Sequence, residues 1–325
     1  MKAKNTTNNK ISLITTERNE VDDIATFIDS ALSQSLKPDE IIIADGGSTD
    51  GTLEVIEKYI KDGAPIKLVH APGNRSVGRN AATKAAKGPI IAVTDVGSRL
   101  DGDWLKNITQ PFRDNKKAMA VSGGFEAEPK TFFEKVSATL MLSPNDNIDI
   151  ETWLPSSRSI AYKKEAWEKA GGYPEHTNFN EDTPFDLALK KAGYKFEDGL
   201  RAVVYWRPRP NLKEFYRQYY YYALGDGIDS LDIAHFIKLT AKYAVCIAAI
   251  FLSLISIKAL AILPILYLWY RFSVRIYRPW RKIKGLKALF LMYLLLFCFD
   301  ISQILGYWNG RLRRKELSGS NRLVR

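Results

Sequence analysis

The run Ile90-Ile-Ala-Val93 limits what this chain can fold into more than any other stretch, because of how it ends. Four β-branched or small apolar residues in a row read as a strand buried on both faces, as in a parallel sheet. The run breaks off into Thr94-Asp95-Val96-Gly97-Ser98, which leaves one carboxylate at the strand's C-terminal edge. Open α/β sheets bind their ligands along that edge. A strand followed by an ordinary polar turn looks the same in isolation, so the neighbouring segments decide.

Three runs of the same kind come before it: Lys10–Thr16, Glu40–Ala44 and Ile66–Val69. Between them lie helical patterns. Ile24, Phe27, Ile28, Ala31 and Leu32 recur at helical spacing until Pro38. Asp45-Gly-Gly-Ser-Thr-Asp-Gly-Thr52 turns the chain, and Ser48, Thr49 or Asp50 can cap a helix over Leu53–Tyr59. A third helix is predicted over Ala81–Ala86. Alternating strands and helices predict an α/β fold, a mostly parallel Rossmann-like sheet flanked by helices. Asp45 and Asp95 then share one edge. Further on, short strands are predicted at Val121–Phe125, Ile160–Tyr162 and Arg201–Trp206. Helices are predicted over Thr131–Leu142 and Lys164–Ala170, and from Asn180–Asp186 with Pro184 in the first turn.

The C-terminal third has a different composition. Lys213–Leu224 carries six aromatics, which fits either a packed core helix or a helix lying in a membrane interface. Leu239–Ile257 is long enough to span a bilayer, Ala259–Val274 follows with Pro264 inside it, and Leu286–Phe299 continues past Asp300 to Trp308. The net charge of +11 calls for an anionic partner. Its basic residues form no nucleic-acid-like tract. Many flank the apolar runs (Arg271, Arg275, Arg278, Arg281, Lys282, Lys284, Lys287), which points to lipid headgroups. Cys246 and Cys298 lie inside apolar runs without metal-ligand spacing. The polar start Met1–Lys10 lacks a signal-peptide core, so the first domain is expected in the cytoplasm. Two spans would return Arg271–Lys287 to that side. A third would carry Arg311–Lys315 across, so a re-entrant or interface-lying third run competes with a full crossing. The expected organisation is a cytoplasmic domain over 1–210, an aromatic interfacial linker over 211–237, two or three membrane segments over 238–310 and a basic tail over 311–325.

Taken in order, Thr16-Glu-Arg-Asn-Glu20, Asp45–Thr52, Arg79-Asn80, Asp95-Val-Gly97 and Glu181-Asp182 resemble the family 2 glycosyltransferases over residues 10–225. Gly225-Asp-Gly227 and Asp300–Gly306 resemble the tails of membrane-bound members. The resemblance implies a GT-A fold that binds a UDP- or GDP-linked sugar in its first half and an acceptor in its second. Thr16, Asn19, Asp45, Arg79 and Asp95 would then bind the donor. Asp45 would accept a base N–H, Arg79 would neutralise diphosphate oxygens, and Asp95 would touch ribose or help hold a divalent cation, Mg or Mn. Asp182 matches the general base, with the first-turn helix carboxylate as the competing role, and Glu181 orients its surroundings.

Two departures stand out: Gly97 and Gly46 occupy places where the family usually has aspartate. Trp206-Arg207 also stands where a histidine often follows the late strand. Fewer carboxylates mean weaker metal binding, so Arg158, Arg207 and Arg209 are candidates to stabilise the leaving diphosphate. The expected function is inverting transfer from a nucleotide sugar to a hydroxyl of a lipid-linked or cell-surface glycan, at the cell membrane. The competitors are a polyprenyl-phosphate glycosyltransferase and a catalytically inactive membrane protein of the same fold. No nucleic-acid partner is expected.

Overall fold

The computed structural model describes residues 10–142, 148–176, 179–255 and 262–320. The polar start up to residue 9, the link at 256–261 between two apolar runs and the last five residues of the basic tail lie outside them. The chain divides into two compact units, one comprising 1–128 and 143–207, the other 129–142 and 208–325.

The first unit is built on an eight-stranded sheet in the order β3-β2-β1-β4-β7-β6-β8-β5. Strands β1 (Ile11–Glu17), β2 (Glu40–Asp45), β3 (Ile66–His70) and β4 (Ile90–Val93) are parallel, as the alternation of strands and helices predicts. Alternation along the strands divides the core in two. Leu13, Ile41, Ile43 and Ala92 meet the buried faces of α1 (Ile24–Leu32), α2 (Thr52–Lys61) and α4 (Trp104–Asp114). Ile14, Ile42, Ala44, Ile91 and Val93 meet those of α3 (Arg75–Ala85), α6 (Lys164–Ala170) and α7 (Asp182–Lys191). Full burial of a Leu or Ile side chain is worth about 1.5–3 kcal/mol, so the two helical layers cover the faces of the sheet and leave its edges for chemistry.

The other half of the sheet is mixed. β7 (Ile160–Lys163) runs antiparallel to β4 and to β6 (Ala120–Ala127), and β8 (Phe196–Trp206) is parallel to β6. The short β5 (Ser98–Leu100) joins β8 antiparallel. A four-residue apolar run specifies burial but not direction, and three residues are too few for any period. β8 also begins five residues before the predicted Arg201, beyond a register shift opposite Gly123 and Gly124. Helix α3 differs too. It starts at Arg75, where Asn74 caps it by accepting the Val77 amide at 3.0 Å. Arg79 and Asn80 therefore sit mid-helix and not in a loop before it. At α2 the capping residue is Gly51 at φ 97°, while Asp50 Oδ1 accepts the Thr52 amide at 3.1 Å.

The second unit is helical. Its first helix, α5 (Phe132–Met141), is opened by a capping box of Thr131 and Glu134. It lies within the stretch 1–210 yet buries Val136 and Leu140 against residues of α8 (Leu212–Asp229) and α12 (Leu286–Ser320). α8 extends past the predicted Leu224 through Gly227, with Phe215 buried and Tyr219 edge-on to Phe299 at 4.7 Å. α9 covers Ile233–Ile255; α10 (Ile262–Arg271) passes through a π-helical turn, Phe272–Ile276, into α11 (Tyr277–Ile283). α12 is one unbroken 35-residue helix. Asp300 does not break it, because Arg271 Nη1 at 2.5 Å and the Tyr243 hydroxyl at 2.7 Å both donate to its Oδ2. Among the described residues, two helices, Ile233–Leu254 and Leu286–Arg314, are long and apolar enough to cross a membrane.

Glycines set the α8–α12 crossing. A Cβ on Gly306 would lie 2.2 Å from the Tyr220 carbonyl oxygen, and one on Gly310 would lie 2.2 Å from that of Leu224. Gly227 is equally closed against Tyr307. The backbones touch, as in small-residue helix packing. Replacing Gly306 by Ala should therefore cost about 1–3 kcal/mol, the scale of overpacking. Gly102, with nothing within 4 Å of its would-be Cβ, should tolerate Ala with little change. Thermal melting of the two variants in detergent checks the contrast.

Candidate active site

Arg79 organises the C-terminal edge of β4. Its position on α3 turns the side chain under the sheet edge, where it is 2% exposed. Nη2 donates to Asp95 Oδ1 at 2.9 Å and Nη1 to Glu181 Oε1 at 2.5 Å, with Asp182 Oδ1 at 4.0 Å. The guanidinium also lies 5.4 Å from the centre of the Tyr173 ring. One fixed cation thus gathers carboxylates from two distant segments. An exposed arginine free to meet a diphosphate is not what the structure contains at this position. Asn80, its neighbour, clamps the segment after α6: its amide oxygen accepts from Trp167 Nε1 and the Tyr173 amide, at 3.1 and 2.8 Å.

The three carboxylates differ in state. Asp95 is 33% exposed. Burial works to raise its pKa, but Arg79, Arg158 and Arg75 outweigh that and hold it below the usual carboxylate range. Glu181, 5% exposed, is consumed by Arg79. Asp182 is 24% exposed and its Oδ2 accepts the Ser157 amide at 3.0 Å and the Ser156 hydroxyl at 3.2 Å. Burial raises its pKa and the Glu181 charge adds to this, against Arg79. Its hydrogen bonds go to the turn before β7, and α7 has no side-chain cap at its start, so the competing role as a helix cap is not the one seen. One turn on, burial holds Asp186 well above the ordinary range, and neither oxygen has a hydrogen-bond partner among the described residues.

A second group lies across the tips of β1, β2 and β3. Glu17 pairs in register with Asp45, and Asp45 with His70. Asp45 is 1% exposed; its Oδ1 accepts the Ser48 amide at 2.8 Å and its Oδ2 lies 3.0 Å from His70 Nδ1. The Ser48 hydroxyl donates to Glu17 Oε2 at 2.9 Å. Asn19, at φ 57°, ties the same turn by accepting the Thr49 amide at 2.9 Å. The Thr16 hydroxyl donates to the Ala44 carbonyl at 3.2 Å, against Gly78. Both side chains bond backbone groups of β2 and of the turn after it.

Of the candidate arginines, Arg158 belongs to the Arg79 group: its Nε is 4.0 Å from Asp95 Oδ2 and its guanidinium stacks 4.6 Å from the centre of the Trp206 ring. Arg207 is exposed at the end of the first unit. Arg209 lies in the second unit, where its Nε donates to Gln218 at 3.0 Å. Sequence reasoning missed Arg75, exposed in the first turn of α3 and close enough to lower the Asp95 pKa. It also left Glu17 and His70 unassigned, although both are the last residues of strands whose edge was already in view.

For a divalent cation this edge offers few free anionic oxygens of its own. Hard cations want several anionic oxygens; here Asp95 faces guanidinium groups, and Arg79 occupies the space between it and Glu181. Among the described residues no cluster of three His, Cys, Asp or Glu could hold a metal. The two glycine departures differ in kind. A Cβ at Gly97 would meet nothing within 4 Å, whereas one at Gly46 would press to 3.3 Å on the Glu17 carbonyl.

Residues 12–175 match the family model described as glycosyl transferase family 2. The chain is 28% identical over 199 residues to an O-antigen chain rhamnosyltransferase of Salmonella anatum, covering 56% of this chain and 62% of that one. It is 24% identical over 213 residues to a succinoglycan biosynthesis protein of Rhizobium meliloti, covering 60% and 64%. The matches thus span about six tenths of these relatives' length. A solved mannosyltransferase of Pyrobaculum calidifontis, in complex with GDP-Man and Mn2+, shares the fold at a TM-score of 0.53 and 17% identity. The alignment covers 94% of this chain and 86% of that one.

Removing a buried charge partner typically costs about 3–5 kcal/mol, because the remaining charges are left uncompensated. Arg79→Met should lower the melting temperature accordingly. Arg79→Lys should restore little, since a point charge cannot bridge both carboxylates. The deficit of Arg79→Met should shrink on acidification, as the orphaned Asp95 takes up a proton. Melting curves from pH 5 to 8 check both points.

Proposed function

The chain belongs to glycosyl transferase family 2, and from that premise we propose that it transfers a sugar with inversion from a nucleotide sugar to a hydroxyl of a cell-surface or lipid-linked glycan. The observation that carries this reading is Asp182: of the carboxylates around Arg79, it alone combines partial exposure with a raised pKa. A general base works best when its pKa approaches the working pH. Ser156 and Ser157 fix its Oδ2, which leaves the other oxygen to take the acceptor's proton. The acceptor oxygen then forms its bond to the anomeric carbon as the bond to the donor's diphosphate breaks, and the electron pair leaves with that diphosphate.

Charge on the leaving group must be met where it develops. We assign that work to Arg158 and Arg75, with Arg207 as a further candidate, and give Arg79 the role of holding Asp95 and Glu181 in place beside Asp182. Asp95 binds the donor ribose, and the tips of β1 and β2 receive the base. The surface-glycan names of the two relatives support a glycan acceptor. The Mn2+ in the mannosyltransferase raises the question of a divalent cation, and the arginine-faced Asp95 supports weak metal dependence for this chain. Membrane placement draws on the two apolar helices and on the basic stretch Arg271–Lys287, suited to lipid headgroups; with the first unit in the cytoplasm, the positive-inside rule requires the chain between α9 and α11 to return that stretch to the same side.

Asp182→Asn should cut transfer by about 10²–10⁴-fold while leaving nucleotide binding intact, the usual scale for a lost general base. An acceptor phosphate is already ionised, so retained transfer in this variant would instead favour a polyprenyl-phosphate acceptor. In the wild-type enzyme activity should fall as pH drops through the raised Asp182 value, at a pH above the ordinary aspartate range, because only the ionised form accepts a proton. EDTA should leave most activity, and Gly97→Asp should make it more responsive to Mn2+. A panel of nucleotide sugars assayed for turnover, with and without metal, tests the reading as a whole.

A further inference from the structure

Glu17 has no part in the reaction just described, yet it is 4% exposed at the end of β1, beside Asp45. The two residues are neighbours in register on adjacent strands and share Ser48, whose amide donates to Asp45 and whose hydroxyl donates to Glu17. Oε2 of Glu17 takes the Ser48 hydroxyl, and Oε1 is buried with no other donor to it among the described residues. Two carboxylates so placed do not both ionise cheaply; the pair keeps a proton. Asp45 has the better partners, the Ser48 amide and His70, so the proton resides on Glu17.

We propose that Glu17 is a positioning residue of the donor site: it holds a proton, donates it in a hydrogen bond to Asp45, and keeps Asp45 an ionised acceptor whose Oδ2 is passed from His70 to an N–H of the nucleotide's base. His70 is suited to that exchange, because its side chain is 72% exposed while Asp45 beneath it is 1% exposed. Around Glu17 the charged groups are Asp45 on β2, Asp50 in the turn after it and, through Asp45, His70 on β3. Burial is the main reason the Glu17 carboxyl is pushed up to about 7, with Asp45 and Asp50 adding to it against the Ser48 hydroxyl. Ionising Glu17 places a second negative charge beside Asp45. That drives the carboxyls apart and repels an anionic nucleotide, so affinity falls as pH rises through about 7.

The inference rests on the donor-site reading above, and its test separates the two. Calorimetric titration with UDP and with GDP, at pH 6 to 8.5, is made on the full-length wild type, Glu17→Gln and His70→Gln. The wild type should lose affinity for the bound nucleotide as pH rises, by up to about tenfold per pKa unit between free and bound forms. Glu17→Gln, neutral at every pH and the same shape, should remove most of that dependence. An unchanged dependence in Glu17→Gln, or one that disappears only in His70→Gln, overturns the proposal. His70→Gln, which removes the imidazole beside Asp45, is the control. Absence of binding by both nucleotides in every variant would overturn the donor-site reading instead. The proton itself is read without ligand. A carboxyl whose folded pKa exceeds its ordinary 4.5 favours folding below that value, and the benefit is lost as pH rises towards 7. The melting temperature of Glu17→Gln relative to wild type should therefore climb from pH 5 to pH 8. A gap that stays flat shows that Glu17 carries no shared proton.

Discussion

A single buried guanidinium orders the catalytic half of this molecule. Arg79 faces Asp95 after β4 and Glu181 at the start of α7, two residues far apart in the chain. Neither carboxylate would tolerate its degree of burial alone, and a pair of them so close would repel. The cation reverses both penalties, at the cost of its own desolvation. Asp182 benefits indirectly. With Glu181 tied down beside it and Arg79 4.0 Å away, it is left neither fully stabilised as an anion nor permanently protonated.

Among the parallel strands, the half-exposed edge strand β3 follows from its place in the alternation of strands and helices, while β1, β2 and β4 were legible because they are buried on both faces and so are written as mostly apolar runs. Their ends, Asp45 and Asp95, were legible for the same reason, since a charge terminating such a run has only the sheet edge to occupy. What failed to show was anything set by partners at long range. Directions of β7 and β8 depend on neighbours, not on composition. The start of α3 was misplaced because Asn74 caps it with a side-chain oxygen, and the polar Arg75–Asn80 stretch lacks an apolar period. The stretch therefore reads as a loop, although Arg75 opens the helix and Arg79 sits inside it. Glu17 and His70 are ordinary polar residues in sequence; only the in-register pairing of three strands sets them beside Asp45.

The helical unit solves a different problem. Asp300 within an apolar run reads as a break, yet α12 continues because Arg271 and Tyr243 meet its carboxylate from two other helices. Burying an ion pair contributes little net stability, but separating it is expensive. The pairing thus selects one register of α9, α10 and α12 over alternatives that would leave a charge in apolar surroundings. The glycines of α8 and α12 select similarly by shape, since only those positions admit a facing backbone.

The excursion at residues 129–142 bears on how the protein can be dissected. The chain leaves the first unit after β6, forms α5 in the second, and returns before β7. A fragment ending at residue 207 would look complete by its sheet, but would carry α5 with Val136 and Leu140 stripped of the helices that cover them. Such a fragment would be sticky for reasons unconnected with its active site. A soluble version of the sheet domain has to bridge residues 128 and 143 as well as stop at 207, so its boundary consists of two cuts and not one.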